Sequence, residues 1–267
     1  MIEMFSYPFM MRALLVGVLI SICAALVGVS LVLRRNSMIG DGLSHTAFSA
    51  FALATVLGVA PLYFALPIVI AMSFFVLRLS QNRKLHGDAA IAILSASSLA
   101  IGTMAISLSK GVNIDLNSYL FGSILSVSWA DVILSGILAL VIFMLYLFAY
   151  HRIFAITFDE EFAKSVGVKT GIYDAIFAAI CSVIIVLGMR LLGSLLISSL
   201  IIFPTLTAMR LKRTFRGIVL VSTLVSVIAF IIGLVLSYIL ATPTGATVVI
   251  VNLVVFIISV LIQKIID

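Results

Sequence analysis

Charge is scarce in this sequence. Only 10% of its residues are Asp, Glu, Lys or Arg, where a soluble domain carries about a quarter. Cysteine is scarce too. Cys23 and Cys181 both lie inside apolar runs, which excludes a disulfide framework and a thiolate metal centre, since either needs several clustered sulfurs. They read as small core residues. No glutamate neighbours any of the three histidines, so the H-E-x-x-H helix of a metalloprotease is absent. The sequence also lacks a G-x-x-x-x-G-K-[ST] loop, the phosphate cradle of an ATPase. Energy from ATP, if it is used, must enter through another polypeptide. There is no low-complexity tract, clear internal repeat or segment able to form a soluble domain. The N-terminal "MIEMFSYPFMMR" has no basic region leading to a short apolar core and cleavage site, so no cleavable signal peptide is expected.

Apolar residues fill the space left by charge. They make up 64% of the 267 residues, and the mean hydropathy is +1.36. Only a bilayer satisfies that much apolar surface, which predicts an all-α, polytopic membrane bundle over residues 1–267. Apolar runs occupy about 13–33, 43–59, 61–79, 89–109, 131–150, 171–189, 191–209, 217–240 and 245–263. Each is near the roughly 20 residues that cross a hydrocarbon core, so eight to ten spans are expected, with nine the preferred count. Tight hairpins are expected around Gly58–Pro61 and around Arg190.

The net charge of +6 does not point to nucleic acid, because the cations are dispersed. They report orientation instead. With the N-terminus outside and nine crossings, 13 of the 16 Lys and Arg residues fall on the cytoplasmic side, and the C-terminus is cytoplasmic. Two segments are more than loops. "KGVNIDLNSYLFGSILSVSWADV" (110–132) is expected to hold a re-entrant or surface helix over 110–130, with Tyr119 and Trp129 at the interface. "AITFDEEFAKSVGVKTG" (155–171) opens on Asp159, Glu160 and Glu161, which favour the positive end of a helix dipole, and Gly167 is suited to end a short helix.

The stretch "LRRNSMIGDGLSHTAFSAFALA" carries the most suggestive chemistry. Asp41 and His45 stand at i, i+4 and share one helix face, and Ser44 and Ser49 extend it as a polar stripe. A carboxylate and an imidazole side by side are two ligands for zinc, or for manganese where oxygen ligands dominate. Ionisable groups in a membrane cost on the order of 2–3 kcal/mol each and usually face a bundle interior or pathway. The plainer reading is Asp41 as a cap for a helix beginning near Gly42 and His45 as a hydrogen-bonded core residue. Spacing alone leaves both readings open. Asp88 reads as a helix N-cap ahead of a ligand, and His86 as a loop residue. Pro204 removes a backbone hydrogen bond within a span and should kink it, with Thr205 and Thr207 near to re-satisfy the backbone. Asn252 and Asp174 read as helix–helix contacts or end residues.

Taken in order, "LVLRRNSMIGDGLSHTAFSAFALATVLG", "DLNSYLFGSILSVSWADV", "DEEFAKSVGV", "LLGSLLISSLIIFPTLTAMRL" and "TPTGATVVIVN" resemble the membrane permeases of bacterial zinc/manganese ABC importers over nearly the whole chain. More distantly the chain is similar to permeases for vitamin B12 and iron siderophores. The resemblance implies that Asp41 and His45, in the G-D-x-x-S-H stretch, coordinate the transported metal. It implies a coupling helix within 159–168 that docks on an ATPase through Asp159, Glu160, Glu161, Ala163 and Gly167. Glu161, Ala163 and Gly167 fit an E-A-A-x-x-x-G pattern, from which Phe162 departs. It implies a permease homodimer in the bacterial plasma membrane, two ATPase subunits, an extracellular metal-binding protein and no covalently bound cofactor. The chain itself is then a transport subunit, not an enzyme. Ser44, Ser49, Asp88 and Pro204 are candidates to line the path. "SHTAFSAFALA" looks more like the zinc members, whereas manganese members often carry a proline soon after the histidine. The competing class is a carrier driven by protons or membrane potential, with Asp41, His45 and Asp88 as a relay; such carriers often show inverted repeats and paired broken helices, which are not evident here.

Overall fold

The computed structural model describes residues 7–80, 87–109, 121–122 and 127–266. Among the described residues every regular element is helical. In chain order the helices are α1 (Pro8–Leu33), α2 (Met38–Val56), α3 (Pro61–Ser80), α4 (Gly87–Leu108), α5 (Trp129–Phe158), α6 (Glu160–Ser165), α7 (Thr170–Leu192), α8 (Ser194–Leu211), α9 (Phe215–Leu240) and α10 (Thr244–Ile266). Eight of them are long and apolar enough to cross a membrane. The one other long helix is α2, whose 19 residues include Asp41 and His45. Those two side chains lower its hydropathy; length alone still lets it span. The chain is a multi-span membrane protein.

Local chemistry sets the helix ends. Pro8 opens α1 at a position where its missing N–H is no loss. The helix stops when Arg35 N–H bonds Val32 C=O at 3.0 Å and Asn36 N–H bonds Leu31 C=O at 2.8 Å. That is a Schellman arrangement, with Arg35 at φ 58° where glycine is usual. On α5, Ser128 and Asp131 form a capping box: Asp131 accepts from Ser128 N–H at 2.9 Å and its own N–H donates to Ser128 Oγ at 3.3 Å. Gly193, at φ 88°, is the whole connection between α7 and α8.

Four boundaries depart from the sequence expectation. Helix α2 begins at Met38 with Ser37 before it, so Asp41 lies inside the first turn and is not its cap. Helix α7 continues through Arg190 to Leu192, because the residue able to take a positive φ is Gly193. Helix α5 runs on past Tyr150 to Phe158, since His151 and Arg152 add polarity without breaking the helix. Asp88, expected as an N-cap, instead lies inside the first turn of α4, which already begins at Gly87. His86, Tyr119 and most of the proposed 110–130 segment lie outside the described residues.

Helix α1 is the central post, touching α5, α7, α8 and α9, while α2 is ringed by α3, α4, α7 and α8. Small residues permit this packing, as is usual where lipid offers no hydrophobic drive between helices. A Cβ on Gly28 of α1 would collide with the Ile201 carbonyl of α8. Buried polar contacts cross the same interfaces. Ser226 donates to the Ser21 carbonyl at 3.0 Å. Tyr146 of α5 donates to the Leu26 carbonyl of α1 and sits 3.2 Å from Ser30 Oγ. Pro204 is buried within α8, and the neighbouring Thr205 bonds the Ile201 carbonyl at 3.2 Å and Ser222 Oγ at 3.2 Å. Cys23 and Cys181 are free and buried.

Candidate functional site

Helix α2 is covered on nearly every side. Between Ile39 and Ala54 the residues that are not buried are Asp41, His45 and Leu53. Asp41 and His45, one turn apart, share a face near the start of the helix, and there this chain leaves a carboxylate and an imidazole partly uncovered; Ser44 and Ser49, expected to extend that face, are buried. His45 Nε2 is 3.7 Å from Asp41 Oδ2, with the side chains 22% and 38% exposed. Two ligands of one tetrahedral ion, each bonded at about 2.1 Å, stand roughly 3.4 Å apart, so a small adjustment lets both atoms hold the same cation. His45 Nδ1 is buried and has no hydrogen-bond partner among the described residues. No cluster of three or more His, Cys, Asp or Glu occurs among the described residues. The pair by itself offers two donors.

The serines on this helix are held by its neighbours. Ser44 is buried, donates to the Gly40 and Asp41 carbonyls at 2.9 Å and meets Ser198 Oγ of α8 at 3.0 Å. Ser49 is buried as well, and its Cα lies 3.0 Å from where a Cβ on Gly102 of α4 would stand. Asp88 is exposed.

At the C-terminal end of α1, just before α2, a second group of polar residues is held within the chain, with one oxygen of Asp174 buried and unpartnered among the described residues. Asp159 ends α5 in an extended conformation and caps α6, accepting from Phe162 N–H at 2.8 Å. Ala163 is the one buried side chain of α6. The helix closes with a second Schellman arrangement, Gly167 N–H to Lys164 C=O and Val168 N–H to Ala163 C=O, both at 3.0 Å. Gly167 takes φ 86°, and a Cβ there would meet nothing within 4 Å, so backbone conformation alone calls for glycine. Arg34, the first residue beyond α1, reaches across to this helix. Its Nη2 donates to Glu160 Oε2 at 3.0 Å, and its Nη1 to Asp174 Oδ1 of α7 at 2.6 Å. Glu160 Oε1 takes Lys164 at 2.7 Å. Lys164 first, then the charge of Arg34, hold the Glu160 carboxyl below its ordinary pKa against the opposing effect of burial.

The model of the family described as "ABC 3 transport family" matches residues 6–263 of this sequence. The chain belongs to that family. It is 30% identical over 253 residues to the high-affinity zinc uptake system membrane protein ZnuB of Haemophilus influenzae, covering 95% of this chain and 97% of that protein. It is 28% identical to the manganese import system permease protein ScaB of Streptococcus gordonii, covering 95% and 91%. Among solved structures, PsaBC from Streptococcus pneumoniae in complex with Fab superposes with a TM-score of 0.83 at 27% identity, covering 95% of this chain and 91% of that one.

For this member of the ABC 3 transport family, sequence reasoning found the two residues of the α2 pair and the ends of α6. It missed the joint between them. Arg34 was legible only as a cytoplasmic cation, and Ser198 not at all. One signal was present: Asp174 is an ionisable residue near the start of an apolar run, and such a group ordinarily has a partner.

Proposed function

We propose that this chain is the membrane permease subunit of an ATP-binding cassette importer that carries a divalent transition metal, zinc first, inward across a bacterial plasma membrane. The observation that carries the reading is the partly uncovered pair on α2, where Asp41 and His45 are held within the span of a single ion's ligands. A tetrahedral shell needs four donors. Two copies of the chain, facing each other across these pairs, supply two carboxylates and two imidazoles. Ser44 and Ser49, near the pair, are the next groups along the path; Asp88 and Pro204 are assigned to its lining on sequence position alone.

Helix α6, with Asp159, Glu160, Glu161, Ala163 and Gly167, is the docking element for a cytoplasmic ATPase, one per permease copy. An extracellular metal-binding protein delivers the ion to the opposite face. This orientation puts the N-terminus outside and the C-terminus in the cytoplasm, and rests on the Lys and Arg distribution. The imidazole favours zinc, which also binds mixed N/O sites more tightly than manganese. Manganese is the second reading, favoured by the comparable likeness to ScaB. Titrating the reconstituted transporter with each metal separates them. Zinc is expected to stimulate ATP hydrolysis; stimulation by manganese with none by zinc would reverse the assignment.

A further inference from the structure

Away from the α2 pair, α5 and α7 diverge around a cleft of about 680 Å³, at the end of the bundle that carries α6. Its depth in the membrane follows from α5. Trp129, the first residue of that helix, is exposed and suited to one membrane interface. At 1.5 Å per residue, a hydrocarbon core of about 30 Å brings the opposite boundary roughly twenty residues on, near Ala149. The cleft straddles that level. Leu145, Phe148 and Ile176 line it on the hydrocarbon side, and Arg152 and Lys169 line its polar mouth. Arg152 donates to the Tyr173 hydroxyl at 2.9 Å, which holds the guanidinium at the mouth. No carboxylate lines the cleft among the described residues, and the first turn of α7 contains no acidic residue to offset the two cations.

A cavity with apolar walls below the boundary and two uncompensated cations above it matches an amphiphile with an anionic head. We infer that this cleft is a binding site for an anionic phospholipid such as phosphatidylglycerol. Arg152 and Lys169 take its phosphate, and an acyl chain lies along Leu145, Phe148 and Ile176. Basic pockets between membrane helices at the headgroup level are suited to such lipids. Free inorganic phosphate shares the charge but leaves the apolar wall unfilled. The site needs only that these loops lie at a membrane surface, so it stands apart from the metal assignment.

The test uses the full-length protein in neutral detergent, titrated with phosphatidylglycerol or phosphatidylcholine of identical acyl chains and followed by native mass spectrometry. Phosphatidylglycerol should bind preferentially. Arg152→Gln with Lys169→Gln, both exposed positions, should weaken that binding roughly thirtyfold and leave phosphatidylcholine binding unchanged. As an independent readout, Phe148→Trp in a Trp129→Phe background puts the chain's sole tryptophan in the cleft. Brominated phosphatidylglycerol should quench it more than brominated phosphatidylcholine at equal mole fraction. Equal binding of the two lipids, selectivity that survives the double substitution, or displacement of the lipid by millimolar inorganic phosphate would overturn the inference.

Discussion

The two ends of the joint formed by α1 and α2 are built in opposite ways. At the α6 end three acids are engaged within the chain: Asp159 caps a helix, Glu160 is shared between Lys164 and Arg34, and one oxygen of buried Asp174 is met by Arg34, its other oxygen being buried without a partner among the described residues. On α2 a carboxylate and an imidazole stand 3.7 Å apart, partly exposed in an otherwise buried helix, and the imidazole has a buried nitrogen without a partner among the described residues. Only residues 35–37 separate Arg34 from α2. The contrast teaches that one chain is enough to anchor α6, whereas it leaves the Asp41–His45 pair partly exposed. Arg34 thus ties α6 and α7 to the connection leading into α2.

The contrast breaks most severely at the under-filled end. His45→Ala, or Asp41→Ala, should reduce metal uptake into proteoliposomes to the level of empty vesicles while shifting stability by less than about 1 kcal/mol, as expected of partly exposed side chains. Normal uptake by either variant would remove the pair from the transport path. At the filled end, Arg34→Ala strands the carboxylate of Asp174, whose side chain is 1% exposed, and should destabilise the fold by about 3–5 kcal/mol in a denaturant titration. Adding Asp174→Asn should recover much of that loss, because the orphan is then neutral. If Arg34→Ala unfolded like the parent, the joint would not be structural.

A smaller effect is expected from Gly167→Ala. The new methyl group finds open space, so the penalty is the left-handed backbone alone, about 1–2 kcal/mol. It should be seen as weaker co-purification of the ATPase with little change in global unfolding. The smallest effect is that of pH. Glu160 has a folded pKa below its ordinary 4.5, so its stabilising contribution is complete above that value and disappears as pH falls through the lower folded value. Lys164 is raised from 10.5 by the same pair; its contribution is complete below that value and disappears as pH rises through the folded one. A spin label at Ser165 should therefore gain mobility at both extremes, and Glu160→Gln should flatten both arms of that response, because Lys164 is raised chiefly by the same carboxylate.

Much of the architecture was legible because its causes are local. Apolar run length identifies spans whatever packs against them, and the ends of α6 are written in neighbouring residues, Asp159 for the cap and Gly167 for the stop. Boundaries were misread where a local signal had two readings: Asp41 resembles a cap until Met38 is seen to begin the helix, and Arg190 resembles a break until Gly193 supplies the positive φ. Ser198 was invisible because a serine in an apolar span announces no partner.

What the sequence determined by itself is the membrane class, the set of apolar runs and the one-turn spacing of Asp41 and His45, because hydropathy and helical periodicity need no knowledge of neighbours. The tertiary structure decided that Asp41 and His45 stay partly uncovered on α2, that Arg34 meets Glu160 and Asp174 across 126 and 140 residues of chain, and that α5 and α7 part around a basic-rimmed cleft. Those outcomes depend on how helices cross, and crossing is set by close approaches such as Gly28 against Ile201, which couple positions far apart in the chain.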